Sequence, residues 1–147
     1  MMFKRLFCLL VCILFIVLIA GCLTPLSPAR APPSYSWSLV SYNAGGKLVK
    51  TDPNTTAILK FGPDGLINGS IGCNEYYGRY QSNGEIIAVI ELESTDIFCN
   101  ASERTREFEQ RYLFLLNNTT RYSYSQDTLT LSYYDERKLL IFERTPF

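Results

Sequence analysis

From Ser36 onward, apolar and polar positions alternate in short runs broken by turn residues, the period of strands with one buried face. Residues 37–40 (Trp-Ser-Leu-Val) open the series and residues 56–61 follow. Gly62-Pro63-Asp64-Gly65 then supplies the dihedrals of a tight turn into residues 66–71. Residues 76–81 and 85–92 flank Ser82-Asn83-Gly84, and Asn-Gly is a strong hairpin signal. Residues 122–125, 128–134 and 139–144 close the chain, with Leu129, Leu131 and Tyr133 on one face of the middle run. One stretch breaks the period. Residues 101–116 place Phe108, Tyr112 and Leu115/Leu116 at i, i+4 and i+7/8, the apolar stripe of a helix. Asn100 with Glu103 resembles a capping box, and Glu107 and Arg111 stand four apart in the favourable order. The pattern predicts an α+β domain, mainly antiparallel β: a small curled sheet or barrel of about seven or eight strands with one α-helix.

The first 35 residues follow another logic. Met1-Met2-Phe3-Lys4-Arg5 precedes an apolar run over residues 6–20, and Gly21-Cys22 ends it. A short basic stretch, about 15 apolar residues and then small residues form a secretory signal layout, and the run is short for a bilayer span. Ile19-Ala20-Gly21-Cys22 matches the bacterial-type lipobox, in which cleavage precedes the cysteine and its thiol takes a diacylglycerol. Two acyl chains then anchor the chain, each buried methylene contributing about 0.8 kcal/mol. The competing readings are an ordinary signal peptide, or an uncleaved anchor, with an incidental cysteine. After Cys22, four prolines in residues 23–34 preclude a helix or a central strand and leave an extended spacer. The chain therefore divides into a lipoprotein signal peptide (1–21), a lipidated Cys22 with a proline-rich tether (22–35) and a folded domain (36–147).

Composition narrows the chemistry. Removing Lys4 and Arg5 with the leader leaves 12 basic against 14 acidic residues, a net of −2, which gives no attraction to nucleic acid. The chain has no histidine, which removes the commonest general base and the triads and zinc sites built on it. Carboxylate pairs remain available. No cofactor is implied.

Cys8 and Cys12 lie in the leader, so Cys73 and Cys99 are what the folded part retains. Two thiols in an exported domain usually pair, and closing that loop would stabilise by about 3.5 kcal/mol on the chain-entropy account. The alternatives are a metal site, short of further soft ligands, and a reactive thiol with no histidine to activate it. N-x-[ST] occurs at Asn54, Asn68, Asn100, Asn117 and Asn118, where roughly one would arise by chance. Each lies in or beside a predicted turn or element end, where a glycan can be accommodated. Asn117 and Asn118 overlap, so one of the two at most is used. A lipobox with many sequons suits an archaeal cell surface better than a bacterial periplasm.

Gly72-Cys73-Asn74-Glu75-Tyr76-Tyr77-Gly78-Arg79-Tyr80, preceded by Phe61-x3-Gly65-x-Ile67-x-Gly69, resembles the signature of the META domain family, the HslJ-like proteins. Thr95-x3-Cys99 is similar to that family's second cysteine motif, and Glu109-x2-Tyr112-Leu113-x2-Leu116 to its helix. Leu129-x-Leu131, Leu139 and Phe142 resemble its closing strands and Trp37-x-Leu39 its opening one. The resemblance spans residues 37–142. It implies a mostly β domain with one helix, common in exported lipoproteins, loosely linked to stress tolerance, and without catalytic residues to carry over. Read on their own chemistry, Gly69, Gly72 and Gly78 serve special dihedrals or close backbone approach. Asn74 suits turn hydrogen bonds. In a strand, Tyr76 and Tyr80 share one face and Tyr77 takes the other.

Three functions compete. The first is a non-catalytic, membrane-tethered envelope lipoprotein, a binding or stress-protection module with an envelope protein as partner. Tyrosines 122, 124, 133 and 134 would then offer a contact face, unless they are ordinary strand residues. The second is a carrier of a small molecule or lipid, which requires an apolar cavity of several hundred cubic ångströms in the curled sheet. The third is a hydrolase built on Glu91, Glu93 and Asp96, against which stands the usual fate of strand carboxylates, to be solvated.

Overall fold

The computed structural model describes residues 32–96 and 102–145. Among these, nine strands form one antiparallel sheet: β1 (Ser36–Ala44), β2 (Lys47–Lys50), β3 (Ala57–Phe61), β4 (Leu66–Ile71), β5 (Asn74–Asn83), β6 (Ile86–Ser94), β7 (Arg121–Ser125), β8 (Thr128–Ser132) and β9 (Lys138–Arg144). A helix, α1 (Glu103–Asn117), stands between β6 and β7 in the chain. The strand missed by the pattern is β2. Its four residues are all exposed, so it carries no alternation to read.

β1 closes the sheet. One edge pairs with β9, from Trp37↔Arg144 to Tyr42↔Leu140. The other pairs with β3 over Ser36–Ser38 and with β2 over Ser41–Ala44. The ring runs β1-β3-β4-β5-β6-β7-β8-β9 and back to β1, with β2 alongside the far half of β1. Gly45 and Gly46, at φ 60° and 86°, make the two-residue turn into β2, a geometry open to glycine at little cost.

The ring is thinnest between β6 and β7, which share the single register pair Ile86↔Arg121. Two backbone bonds flank it, Ile87 N–H to Thr120 O at 3.0 Å and Tyr122 N–H to Glu85 O at 2.9 Å. α1 packs against β6 and β9 and buries Phe108, Tyr112, Leu115 and Leu116, the predicted stripe. Its start differs from expectation. Ser102 is the N-cap, its hydroxyl accepting the Thr105 N–H at 3.2 Å, so Glu103 is the first helical residue rather than the far end of a capping box. The short helix ion pair is Glu103–Arg106 at 3.0 Å, one turn before the Glu107–Arg111 spacing. At the other end, Asn118 donates its side-chain amide to Phe114 O at 2.8 Å.

Inside the ring, strand alternation turns Trp37, Leu59, Ile67, Ile71, Tyr76, Ile87, Leu129, Leu131, Leu140 and Phe142 inward, each at most 1% exposed. Trp37 also ties the approaching segment to the barrel, because its indole N–H donates to Pro33 O at 3.3 Å. Pro32 is already buried, so the chain lies against the domain four residues before β1.

Gly69 in β4 pairs with Leu59 on one side and Tyr76 on the other. The Tyr76 phenol crosses it to donate to Ile58 O at 2.8 Å, and a methyl at Gly69 would collide with that carbonyl and that ring. Gly69→Ala is expected to cost about 3 kcal/mol in urea unfolding, through displaced backbone and phenol. Gly84→Ala has open space but a φ of 62° and is expected to cost about 1 kcal/mol. Equal losses would refute the packing account of Gly69.

Candidate functional site

The signature residues converge on the junction of α1 with the β4–β5 turn. Gly72, at φ 54°, makes that turn, and a Cβ there would strike the Glu109 carboxylate and crowd Thr105. Glu109 is 8% exposed, and it takes the Cys73 N–H on Oε1 at 3.2 Å and the Asn74 side-chain amide on Oε2 at 2.9 Å. Asn74 uses the other end of its amide to accept the Thr95 hydroxyl at 3.0 Å, while Thr95 Oγ1 accepts the Glu75 N–H at 3.0 Å. An amide is required in that place because it must donate on one side and accept on the other. One hydrogen-bonded cluster thus joins the helix, the β4–β5 turn and the exit of β6. Cys73 in it is disulfide-bonded. Cys22, Cys99 and Asn100 lie outside the described residues.

Deeper in, Tyr112 and Tyr76 bring their hydroxyls to 2.7 Å. Tyr76 has one proton and gives it to Ile58 O, so Tyr112 donates to Tyr76 and the chain of bonds ends on backbone. Burial holds both phenols above the ordinary tyrosine range, Tyr76 well above it. The other signature residues are also packing residues. Phe61 meets Tyr80 edge-to-face at 5.0 Å, and Gly65 takes φ 72° in the turn before β4, where a side chain would press on Tyr80 O.

The outer wall has a different character. At Gly78 the register of β5 with β6 slips, with two residues of β6 facing one of β5, and Glu91 is forced to φ 52°. Beside this bulge lies an open groove of about 250 Å³ lined by Leu66, Asn68, Tyr77, Arg79, Glu91 and Glu93. Tyr77 is 55% exposed, and its hydroxyl donates to Glu93 at 2.6 Å, a bond that raises the phenol's pKa. A second open depression, of about 550 Å³, is bounded by Tyr35, Lys60, Phe61, Gly62, Asn68 and Thr145. Asn68 belongs to the walls of both.

Glu91 and Glu93 thus share a groove, whereas Asp96 is exposed and does not line it. No group of three or more metal-type side chains is assembled among the described residues. The late tyrosines do not form one contact face. Tyr122 is buried, Tyr124 and Tyr133 pack partly on the core, and Tyr134 is exposed, stacked on Tyr133 at 3.9 Å. Of the sequons, Asn54, Asn68 and Asn117 are exposed, while Asn118 is engaged as the helix cap.

Glu109 was legible as a signature residue but its burial was not; the available signal was its place with Tyr112 and Leu116 on the helical stripe. The bulge and both outer depressions left no mark in the residue pattern.

The META domain profile matches residues 32–146, and the chain belongs to that family. Among solved structures, an NMR structure of a protein from Burkholderia xenovorans is similar with a TM-score of 0.62 at 23% identity, over 84% of this chain and 97% of that one. A second NMR structure gives 0.55 at 22% identity, over 76% and 89%. A crystal structure of a DUF4847-family protein from Bacteroides vulgatus gives 0.51 at 16%, over 76% and 93%. At such identities the likeness is one of fold. No curated protein matches the chain.

Two outcomes follow from the junction and the tyrosine pair. Glu109→Ala removes the acceptor of two donors and is expected to cost about 3 kcal/mol in urea unfolding, with Glu109→Gln, which keeps one acceptor, losing about half of that. A loss under about 0.5 kcal/mol for the alanine variant would show that water replaces the carboxylate freely. Tyr76 and Tyr112 have folded pKa values raised above the unfolded value of about 10, so their contribution is complete below that pH and fades as pH climbs toward the folded values. Stability should fall above pH about 10, and Tyr112→Phe should make that decline shallower by up to about 1.4 kcal/mol per pH unit. Parallel declines in the two proteins would contradict it.

Proposed function

We propose that this META-domain chain is an exported lipoprotein, held at the outer side of the cell membrane through Cys22, whose barrel is a non-catalytic binding or stress-protection module. The observation that carries the reading is the filled barrel. Twelve large side chains, each under 2% exposed, occupy its interior, so contact with anything else falls to the outer wall. The leader supports export through its basic start, its apolar run and Gly21-Cys22. The disulfide at Cys73 suits an oxidising compartment, and its partner in this reading is Cys99, the other cysteine beyond Cys22. An envelope protein is the kind of partner such a module would meet. The absence of histidine from the whole chain and the exposure of Glu91, Glu93 and Asp96 favour contact over turnover. An interior carrier is the second reading, and the tightly packed ring weighs against it because an apolar ligand needs several hundred cubic ångströms of enclosed space.

Membrane fractionation of cells making the full chain, with mass analysis of its N-terminal tryptic peptide, tests this directly. The expected peptide begins at Cys22, ends at Arg30 and carries a diacylglycerol, and Cys22→Ser is expected to move the protein out of the membrane fraction. A chain retaining residues 1–21 in the cytosol would overturn the reading. Stoichiometric lipid or metabolite extracted from the folded domain would favour the carrier.

A further inference from the structure

We propose that Asn68 carries an N-linked saccharide that lies on the outer wall of the barrel, against Tyr77 and Leu66. The proposal rests on the export read from the leader, because glycan transfer to such sequons takes place outside the cytoplasm. Asn68-Gly69-Ser70 is one of five sequons, and the structure separates them. Asn118 has its amide committed to Phe114 O, and Asn117 overlaps it. Asn54 is exposed in a turn, with Asp52 accepting its backbone N–H at 2.9 Å. Asn100 lies outside the described residues, and among the sequons within them Asn68 alone lines the two outer depressions. Its side chain points outward from β4 and makes no hydrogen bond among the described residues.

The surroundings of Asn68 are those a sugar would use. Tyr77 is its cross-strand partner, and Leu66 stands two residues away on the same face. These two are 55% and 47% exposed and form an apolar pair beside Asn68 on the outer wall. The C–H face of a pyranose covers such a phenol well, since its positive hydrogens meet the negative face of the ring. The hydrogen bond to Glu93 fixes the Tyr77 ring in the groove. Arg79 and Glu91 border the same groove and offer a donor and an acceptor to sugar hydroxyls.

The transfer is a simple displacement. The Asn68 amide nitrogen bonds to the anomeric carbon of a lipid-linked oligosaccharide, the bond from that carbon to the lipid phosphate oxygen breaks, and the amide gives one proton to a carboxylate base of the transferase as the lipid phosphate leaves as an anion.

The test uses full-length protein from the membranes of its own organism, reduced, alkylated and digested with trypsin. Cleavage after Lys60 and Arg79 isolates peptide 61–79, in which Asn68 is the one sequon. That peptide is expected to carry a saccharide mass that Asn68→Gln abolishes. Glycosylated protein should melt about 3–6 °C above the Asn68→Gln variant, and Tyr77→Ala should erase that difference while leaving occupancy intact. A bare peptide 61–79 on a lipidated chain overturns this proposal alone. A chain with its leader uncut overturns both this and the envelope reading. A glycan whose stabilisation ignores Tyr77→Ala overturns the seat on the wall.

Discussion

A buried carboxylate ties the helix of this molecule to its sheet. An antiparallel ring hides its backbone edges wherever neighbouring strands pair, and this ring nearly parts between β6 and β7. α1 lays an apolar stripe against β6 and β9, but such a stripe slides easily, since many registers bury similar area. Glu109 removes that freedom. Burying a carboxylate is costly unless its lone pairs are met, and here they are met at one position, where the Cys73 N–H and the Asn74 amide converge. Gly72 makes the position possible, because it turns the chain with a positive φ and leaves room where a methyl would stand. Gly72, Cys73 and Asn74 therefore act together as a receptor for one helix side chain.

The same constraint arranges the two ends of the barrel. β1 starts beside Pro33, where the N-terminal segment arrives, and ends at the Gly45-Gly46 turn. The ends of β4 and β6 and the start of β5 lie at the second of these poles, and so does the Glu109 cluster. The plug is therefore remote from the point where the N-terminal segment reaches the ring. Tyr112 continues the anchoring inward by handing its proton to Tyr76, which hands its own to Ile58. The two phenols enter this core as members of one completed chain, as low-dielectric surroundings favour.

Most of the ring was legible because alternation reports burial on one face. β4 was delimited to the residue, β3, β5, β6, β7, β8 and β9 differ from the pattern by a residue or two at their ends, and β1 runs to Ala44, past the predicted 37–40. β2 escaped because Lys47, Leu48, Val49 and Lys50 are all exposed, so nothing in the sequence separates inside from outside. The helix was found by its stripe, yet its cap was misplaced by two residues, since serine and asparagine are nearly equivalent caps and local spacing does not choose between them. Signature glycines were recognised as special, but not what each avoids: Ile58 and Tyr76 on the neighbouring strands for Gly69, and the distant Glu109 for Gly72. Such contacts are properties of paired strands and a docked helix, which spacing along the chain does not report.

Gly78 shows how a motif can serve the outside as well as the core. Its two predecessors in the signature clear space for a phenol and a carboxylate within the domain. At Gly78 the approaching group is the backbone of β6 itself, since an added Cβ would sit 3.1 Å from Glu91 O and from Leu92 Cα. That approach accompanies the bulge, and the bulge holds Glu91 in a left-handed conformation costing about 1 kcal/mol for a residue other than glycine. A regular ladder at this point would avoid the cost and would lay the outer side chains of β4, β5 and β6 in even rows. The irregular one bends the wall beside Leu66, Asn68, Tyr77 and Glu93 and leaves a groove there instead. The inward residues on either side of it, Tyr76, Tyr80 and Val89, stay buried. A strain kept in a strand whose inward face is already satisfied therefore shapes only the exterior. That makes the β4–β5–β6 wall the face on which contacts by this barrel are best sought.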